Sequence, residues 1–146
     1  MSKYKATSHT TYNIGYHIIF SPKYRYNLLR YSAAERLKKL LYEKSYSLHI
    51  TIPIMEVMPD HVHLFICAPP SLAIHTIIRE LKGYTSYRLR AEYAYLRRYP
   101  SLWTRSYFIE TVGHISESTV VQYIKNQKSA PSHLPAKARR IPGRIS

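Results

Sequence analysis

Two histidines one residue apart, His61 and His63, form the first group whose types and spacing suit chemistry. Along a strand, alternate residues share a face and two steps advance roughly 6.6 Å, so both imidazoles can lean onto one cation. Val62 then points the other way and locks the strand by packing into the core. Two imidazoles without a thiolate admit Mn²⁺, Zn²⁺ or another divalent ion, and oxygen ligands would shift the choice toward Mg²⁺ or Mn²⁺. The competing reading is a pair of half-buried histidines satisfied by hydrogen bonds.

The second group lies near the C-terminus. Val120, Tyr123, Ile124 and Gln127 fall at i, i+3, i+4 and i+7 and share one helical stripe. On packing grounds alone Tyr123 would be a core aromatic and Gln127 a polar rim residue. Gln127 fits that reading poorly, because it sits directly below Tyr123 on the buried stripe. An amide there needs a partner, and a metal ion would be one. If the stripe faces the two histidines, Tyr123 becomes a nucleophile beside a Lewis acid.

Positioning both groups requires a set of elements that the periodicity supplies. Residues 12–20 alternate Tyr12, Ile14, Tyr16, Ile18 and Phe20 on one face, a strand pattern. Ser32 and Glu35 have capping-box spacing, with Ser32 as N-cap, and Leu37, Leu40, Leu41 and Lys44 continue at helical spacing. Residues 48–58 read as a second strand, with Pro53 suited to an edge or bulge. Pro59-Asp60 makes a turn and 61–67 a third strand. Pro69-Pro70-Ser71 ends it and caps a helix whose stripe is Ile74, Ile77, Ile78 and Leu81. That helix is expected to run to about residue 98, followed by a strand at 107–112 and a last helix at 116–127. The order β-α-β-β-α-β-α predicts an α+β, ferredoxin-like (RRM-like) antiparallel sheet with an extra C-terminal helix. In that topology the first and third strands lie side by side at the centre.

Composition narrows the partner. The 146 residues fit one domain, expected over 1–130, with a basic tail at 131–146. A formal net charge of +14 favours a polyanion through counterion release, and fifteen tyrosines interleaved with Lys and Arg could stack on unpaired bases. Most of those tyrosines are expected to be amphipathic core-edge residues. Cys67 is the only cysteine, which excludes an internal disulfide and suits a reducing interior. No stretch is long and apolar enough for a signal peptide or a membrane span, so a soluble cytoplasmic protein without membrane partners is expected.

Four segments together resemble the small single-tyrosine HUH transposases of insertion sequences that move as single-stranded DNA. They are Phe20-Ser21-Pro22-Lys23-Tyr24-Arg25, Met58-Pro59-Asp60-His61-Val62-His63-Leu64, Leu102-Trp103 with Tyr107-Phe108-Ile109-Glu110-Thr111-Val112-Gly113, and Tyr123-Ile124-Lys125-Asn126-Gln127. The resemblance covers about residues 12–127. It implies that His61 and His63 are metal ligands with Gln127 as a third. It implies further that Tyr123 attacks the scissile phosphate to leave a 5′-phosphotyrosine and a free 3′-hydroxyl, with Mg²⁺ or Mn²⁺ as cofactor. Asp60 would be a turn residue that orients the strand. The family's partners are single-stranded DNA with hairpin ends and a second copy of the chain, so that a homodimer shares its active sites between subunits. Two other readings stand beside it: a domesticated HUH nickase, and a non-catalytic RRM-like single-strand binder presenting Tyr12, Tyr16 and Phe65.

Overall fold

The structure, a computed structural model, describes residues 13–116 together with 118 and 122. Tyr12, the body of the last expected helix, Tyr123, Gln127 and the basic tail lie outside the described residues; Ser118 and Gln122 are helical. The described elements are β1 (Asn13–Phe20), α1 (Ser32–Leu48), β2 (Thr51–Met58), β3 (His61–Ala68), α2 (Ile74–Glu92) and β4 (Phe108–Ile115), with 3-10 turns at Lys23–Arg25 and Ala94–Arg98. The sheet order is β2-β3-β1-β4 and every pairing is antiparallel, so β1 and β3 are central as their apolar alternation requires.

The two faces of the sheet are dissimilar. Ile18, Phe20, Val62, Leu64 and Ile66 point to one side and are fully or almost fully buried beneath Leu37, Leu40 and Leu41 of α1 and Ile77, Ile78 and Leu81 of α2. Each such aliphatic side chain stabilises the fold by roughly 1.5–3 kcal/mol, so this layer is the main apolar contribution. The other side carries His17, Ile19, His61, His63, Phe65 and Cys67, and neither described helix lies on it. Burial pushes the Cys67 thiol up to about 12, which keeps it protonated and unreactive.

Several boundaries differ from the sequence expectation, each for a local reason. Ser32 is the first residue of α1 rather than its cap; Tyr31 precedes it with no side-chain cap. The Ser32 hydroxyl accepts from the Tyr93 hydroxyl, and Glu35 pairs with Lys38 instead of reaching back. α1 extends to Leu48, where His49 in the left-handed region (φ 60°) closes it on Ser45 and Tyr46 carbonyls and delays β2 to Thr51. Pro53 sits on an edge strand, inside the irregular pairing between Thr51 and Ile54. Ser71 does not cap α2, because a turn closed by Leu72 N–H on the Pro69 carbonyl comes first and the helix starts at Ile74. α2 stops at Glu92 rather than near 98, since extended Tyr93 redirects the chain and buries Leu96. Arg97 braces this break by donating to the carbonyl of Arg90. β4 runs on to Ile115, past a bulge between Gly15 and Tyr16 in its pairing with β1 and through Gly113 at φ 102°. No helix among the described residues is long and apolar enough to cross a membrane.

Gly15 is required by a close approach. A Cβ there would stand 2.9 Å from Phe65 Cζ and 3.0 Å from Ile115 Cγ1. Gly15→Ala is therefore expected to lower stability by about 1–3 kcal/mol, read from urea unfolding of the full chain. A change under about 0.5 kcal/mol would show that this face relaxes freely.

Candidate metal centre

β3 places His61 at its start and His63 two residues on, the latter between Ile19 of β1 and Glu56 of β2. The sheet therefore brings both imidazoles to the same face, as the alternation predicts. A third histidine that the sequence reading passed over joins them. His17 of β1 stacks on His63, with ring centroids 5.4 Å apart and planes 20° apart, and leans on Phe65 at 4.7 Å. The signal was present in the strand alternation: His17 falls between Tyr16 and Ile18, opposite the core face, and the β1–β3 pairing does the rest.

His63 is the anomaly of the site. It is 2% exposed, and neither of its ring nitrogens has a hydrogen-bond partner among the described residues. Glu56 Oε1 stands 3.9 Å from Nδ1, beyond hydrogen-bond reach. Burial, reinforced by the His17 and His61 charges, holds its pKa down at about 4. At neutral pH the ring is thus uncharged with a lone pair available, the form that binds metal. Among the described residues His63 lacks the hydrogen bonds of the competing reading, and a buried imidazole left unpaired costs free energy.

His61 is held differently. Its Nδ1 lies 2.9 Å from Asp60 Oδ1, and Asp60 Oδ2 is 3.7 Å from an Arg25 guanidinium nitrogen. An imidazole that donates its Nδ1–H to a carboxylate presents Nε2 as the ligating atom, the usual outer-shell arrangement of metal-binding histidines. Asp60 therefore does more than turn the chain: it touches the His61 ring itself. The Pro22–Trp103 bridge and the bonds from Lys23 N–H to the Leu102 carbonyl and from Thr104 N–H to the Ser21 carbonyl tie this corner down. Two of the sequence segments singled out above meet here.

An orphaned neutral imidazole beside a carboxylate-braced one fits a divalent cation. Among the described residues no group of three or more His, Cys, Asp or Glu is placed to hold an ion. Gln127 and Tyr123 lie outside the described residues, so their place relative to the pair is an expectation only. Of the residues expected to form the stacking platform of an RRM-like binder, Tyr12 lies outside the described residues, and the other two present no exposed ring. Tyr16 is buried toward the helices and Phe65 is 0% exposed beside His17. On the helix side, a groove of about 570 Å³ is lined by Arg79, Lys82, Arg105 and Tyr107 among others, a basic surface.

The depressed His63 pKa is also a statement about stability. The unfolded residue takes up a proton near its ordinary pKa while the folded one resists until about 4, so the unfolded state binds more protons between those values. Stability conferred by the neutral ring is present above about pH 6.5 and is lost as pH falls toward 4, up to about 3 kcal/mol. In metal-free protein, His63→Phe should flatten the acid limb of the stability–pH profile. An unchanged acid limb would contradict a neutral, desolvated His63.

Comparison with known proteins identifies the family. The model of the family described as IS200-like transposases matches residues 10–127. The ISDra2 transposase TnpA of Deinococcus radiodurans is 35% identical over 119 residues, covering 80% of this chain and 85% of the relative. The transposase for insertion sequence element IS200 of Salmonella typhimurium is 32% identical over 134 residues, covering 87% of this chain and 85% of the relative. A solved Deinococcus radiodurans chain described as a transposase superposes with a TM-score of 0.69 at 32% identity, over 85% of this chain and 98% of that one. A REP-associated tyrosine transposase bound to a REP hairpin shares the fold, with a TM-score of 0.53 at 15% identity, over 89% of this chain and 75% of that one. With the family model spanning most of its length and two relatives above 30% identity, this chain belongs to the IS200-like transposase family.

Proposed function

We propose that this protein cleaves and rejoins single-stranded DNA at the ends of an insertion sequence, with Tyr123 as nucleophile and His61, His63 and Gln127 as ligands of Mg²⁺ or Mn²⁺. The observation that carries the reading is His63, buried, neutral and without a hydrogen-bond partner among the described residues on the face it shares with His61. Family membership supports transfer of DNA, and the +14 charge supports a polyanionic substrate.

The phenolic oxygen of Tyr123 forms a new bond to the scissile phosphorus, and the bond from that phosphorus to the 3′ oxygen breaks. The products are a 5′-phosphotyrosine and a 3′-hydroxyl, the phenol proton balancing the one gained by the leaving oxygen. A phenol with a pKa near about 10 is a weak nucleophile at neutral pH. A divalent ion at this site would polarise the phosphoryl oxygen and offset the developing negative charge. Asp60 keeps the His61 ring oriented, and burial keeps His63 uncharged. The covalent link conserves the phosphodiester bond energy, so a second strand end can be joined without ATP. That favours transfer over simple hydrolysis.

The proposed substrate is single-stranded DNA with hairpin ends, consistent with the hairpin carried by the REP-associated relative of similar fold. The proposed assembly is a homodimer in which Tyr123 of one chain serves the histidine pair of the other.

The test uses full-length protein and a labelled single-stranded element end. Wild type should form an SDS-resistant adduct that EDTA abolishes and Mg²⁺ or Mn²⁺ restores, and His61→Ala or His63→Ala should abolish it. Tyr123→Phe should bind the DNA but form none; an adduct on that variant would overturn the nucleophile assignment. Mixed His61→Ala and Tyr123→Phe chains should regain the adduct, on the His61→Ala chain alone, whereas proven heterodimers that stay inactive would overturn shared sites. Full activity in chelator would overturn the metal.

A further inference from the structure

The segment that braces Asp60 also displays two aromatic rings to solvent. Tyr24 is 64% exposed and Tyr26 is 49% exposed, with ring centroids 5.4 Å apart, and Tyr26 makes an edge contact with Tyr99 at 5.8 Å. Scattered exposed apolar residues need no explanation, but paired rings held beside a catalytic metal corner are a different matter. Arg25, between the two tyrosines, reaches Asp60, and Asp60 holds His61. The rings are thus within one ion pair and one hydrogen bond of a metal-binding side chain.

The backbone there is strained in a way that packing does not ask for. Tyr24 and Arg25 are consecutive non-glycine residues with φ of 58° and 57°, in the left-handed region that L side chains disfavour. Hydrogen bonds from Arg25 N–H to the Pro22 carbonyl and from Tyr26 N–H to the Lys23 carbonyl hold the turn. Strain of this kind collects where a functional geometry is over-determined. Here it turns one tyrosine outward on each side of Arg25 while the arginine points back to the site. Lys23 Nζ lies 5.6 Å from the Tyr24 ring centroid, so a cation accompanies the rings.

We propose that Tyr24 and Tyr26 form a stacking subsite for unpaired bases of the single strand that flanks the scissile phosphate, with Lys23 beside it for the backbone. The inference rests on the single-strand reading above. Exposed rings with adjacent positive charge are what sequence-tolerant single-strand binding requires, since every base offers a π-face. Double-stranded DNA hides those faces, so the subsite would favour an unpaired segment over a duplex.

The test is fluorescence anisotropy of full-length protein in EDTA, which removes cleavage from the readout. The probes are a labelled unstructured 12-nucleotide single strand, an abasic strand of the same length, and a duplex. Tyr24→Ala and Tyr26→Ala should each weaken single-strand binding by about 5- to 100-fold, with unchanged thermal melting, because both rings are exposed. Tyr24→Phe and Tyr26→Phe should bind as wild type does, and the abasic strand and the duplex should bind every variant alike. Alanine variants that bind the single strand as wild type does, or that lose the same affinity for the abasic strand, would overturn the subsite. Failure of the Tyr123 adduct in wild type would instead overturn the catalytic reading, and it leaves this binding comparison interpretable.

Discussion

The antiparallel pairing of β1 with β3 fixes two surfaces at once, and the rest of the molecule follows from its register. With Ile18 opposite Leu64 and Phe20 opposite Val62, the helix-facing side becomes an unbroken apolar layer. The same register sets His63 opposite Ile19 and lets the His17 ring lie against it. A slip of one residue would turn the histidines into the core and the leucines out of it, a loss no local interaction could offset. Gly15 belongs to this constraint, because only a residue without a side chain leaves room for Phe65, the ring on which His17 rests.

Burial on the histidine side has a chemical consequence. An imidazole in water spends much of its time protonated near pH 6, and a protonated ring cannot ligate a cation. Desolvation of His63 removes that competition, at the cost of two ring nitrogens without a hydrogen-bond partner among the described residues. His61 is held by another contact: its ring meets the carboxylate of Asp60, itself backed by Arg25 from the turn after β1, which fixes the ring's orientation. The two imidazoles are thus held by different physics: one by exclusion of water, the other by a hydrogen bond to a carboxylate.

Much of this was legible in the sequence because strand periodicity is a strong signal where one face is buried. The alternation around Ile18 and around Val62 identified both central strands, their order and the side on which His61 and His63 stand. Helix ends were less legible. Ser32 and Glu35 have the spacing of a capping box, yet Tyr93 and Lys38 compete for the same side chains through contacts that spacing cannot reveal. The break at Tyr93 was hidden for a similar reason: 84–98 has helical composition throughout, and the interruption is set by long-range burial of Leu96 and by Tyr95 donating to the Leu28 carbonyl. His17 was overlooked because a lone histidine inside an apolar strand carries no motif; only pairing gives it a neighbour. The strained turn at Tyr24 and Arg25 was unreadable, since neither residue is one that usually adopts positive φ.

The central claim is that the histidine pair on β3 is a metal-ligating pair. Pulsed electron paramagnetic resonance of Mn²⁺ added to the full chain measures it directly through coupling to coordinated imidazole nitrogen. The account predicts coupling from two nitrogens in wild type and from one in His63→Ala. Bound Mn²⁺ with no nitrogen coupling, or coupling unchanged in His63→Ala, would contradict it.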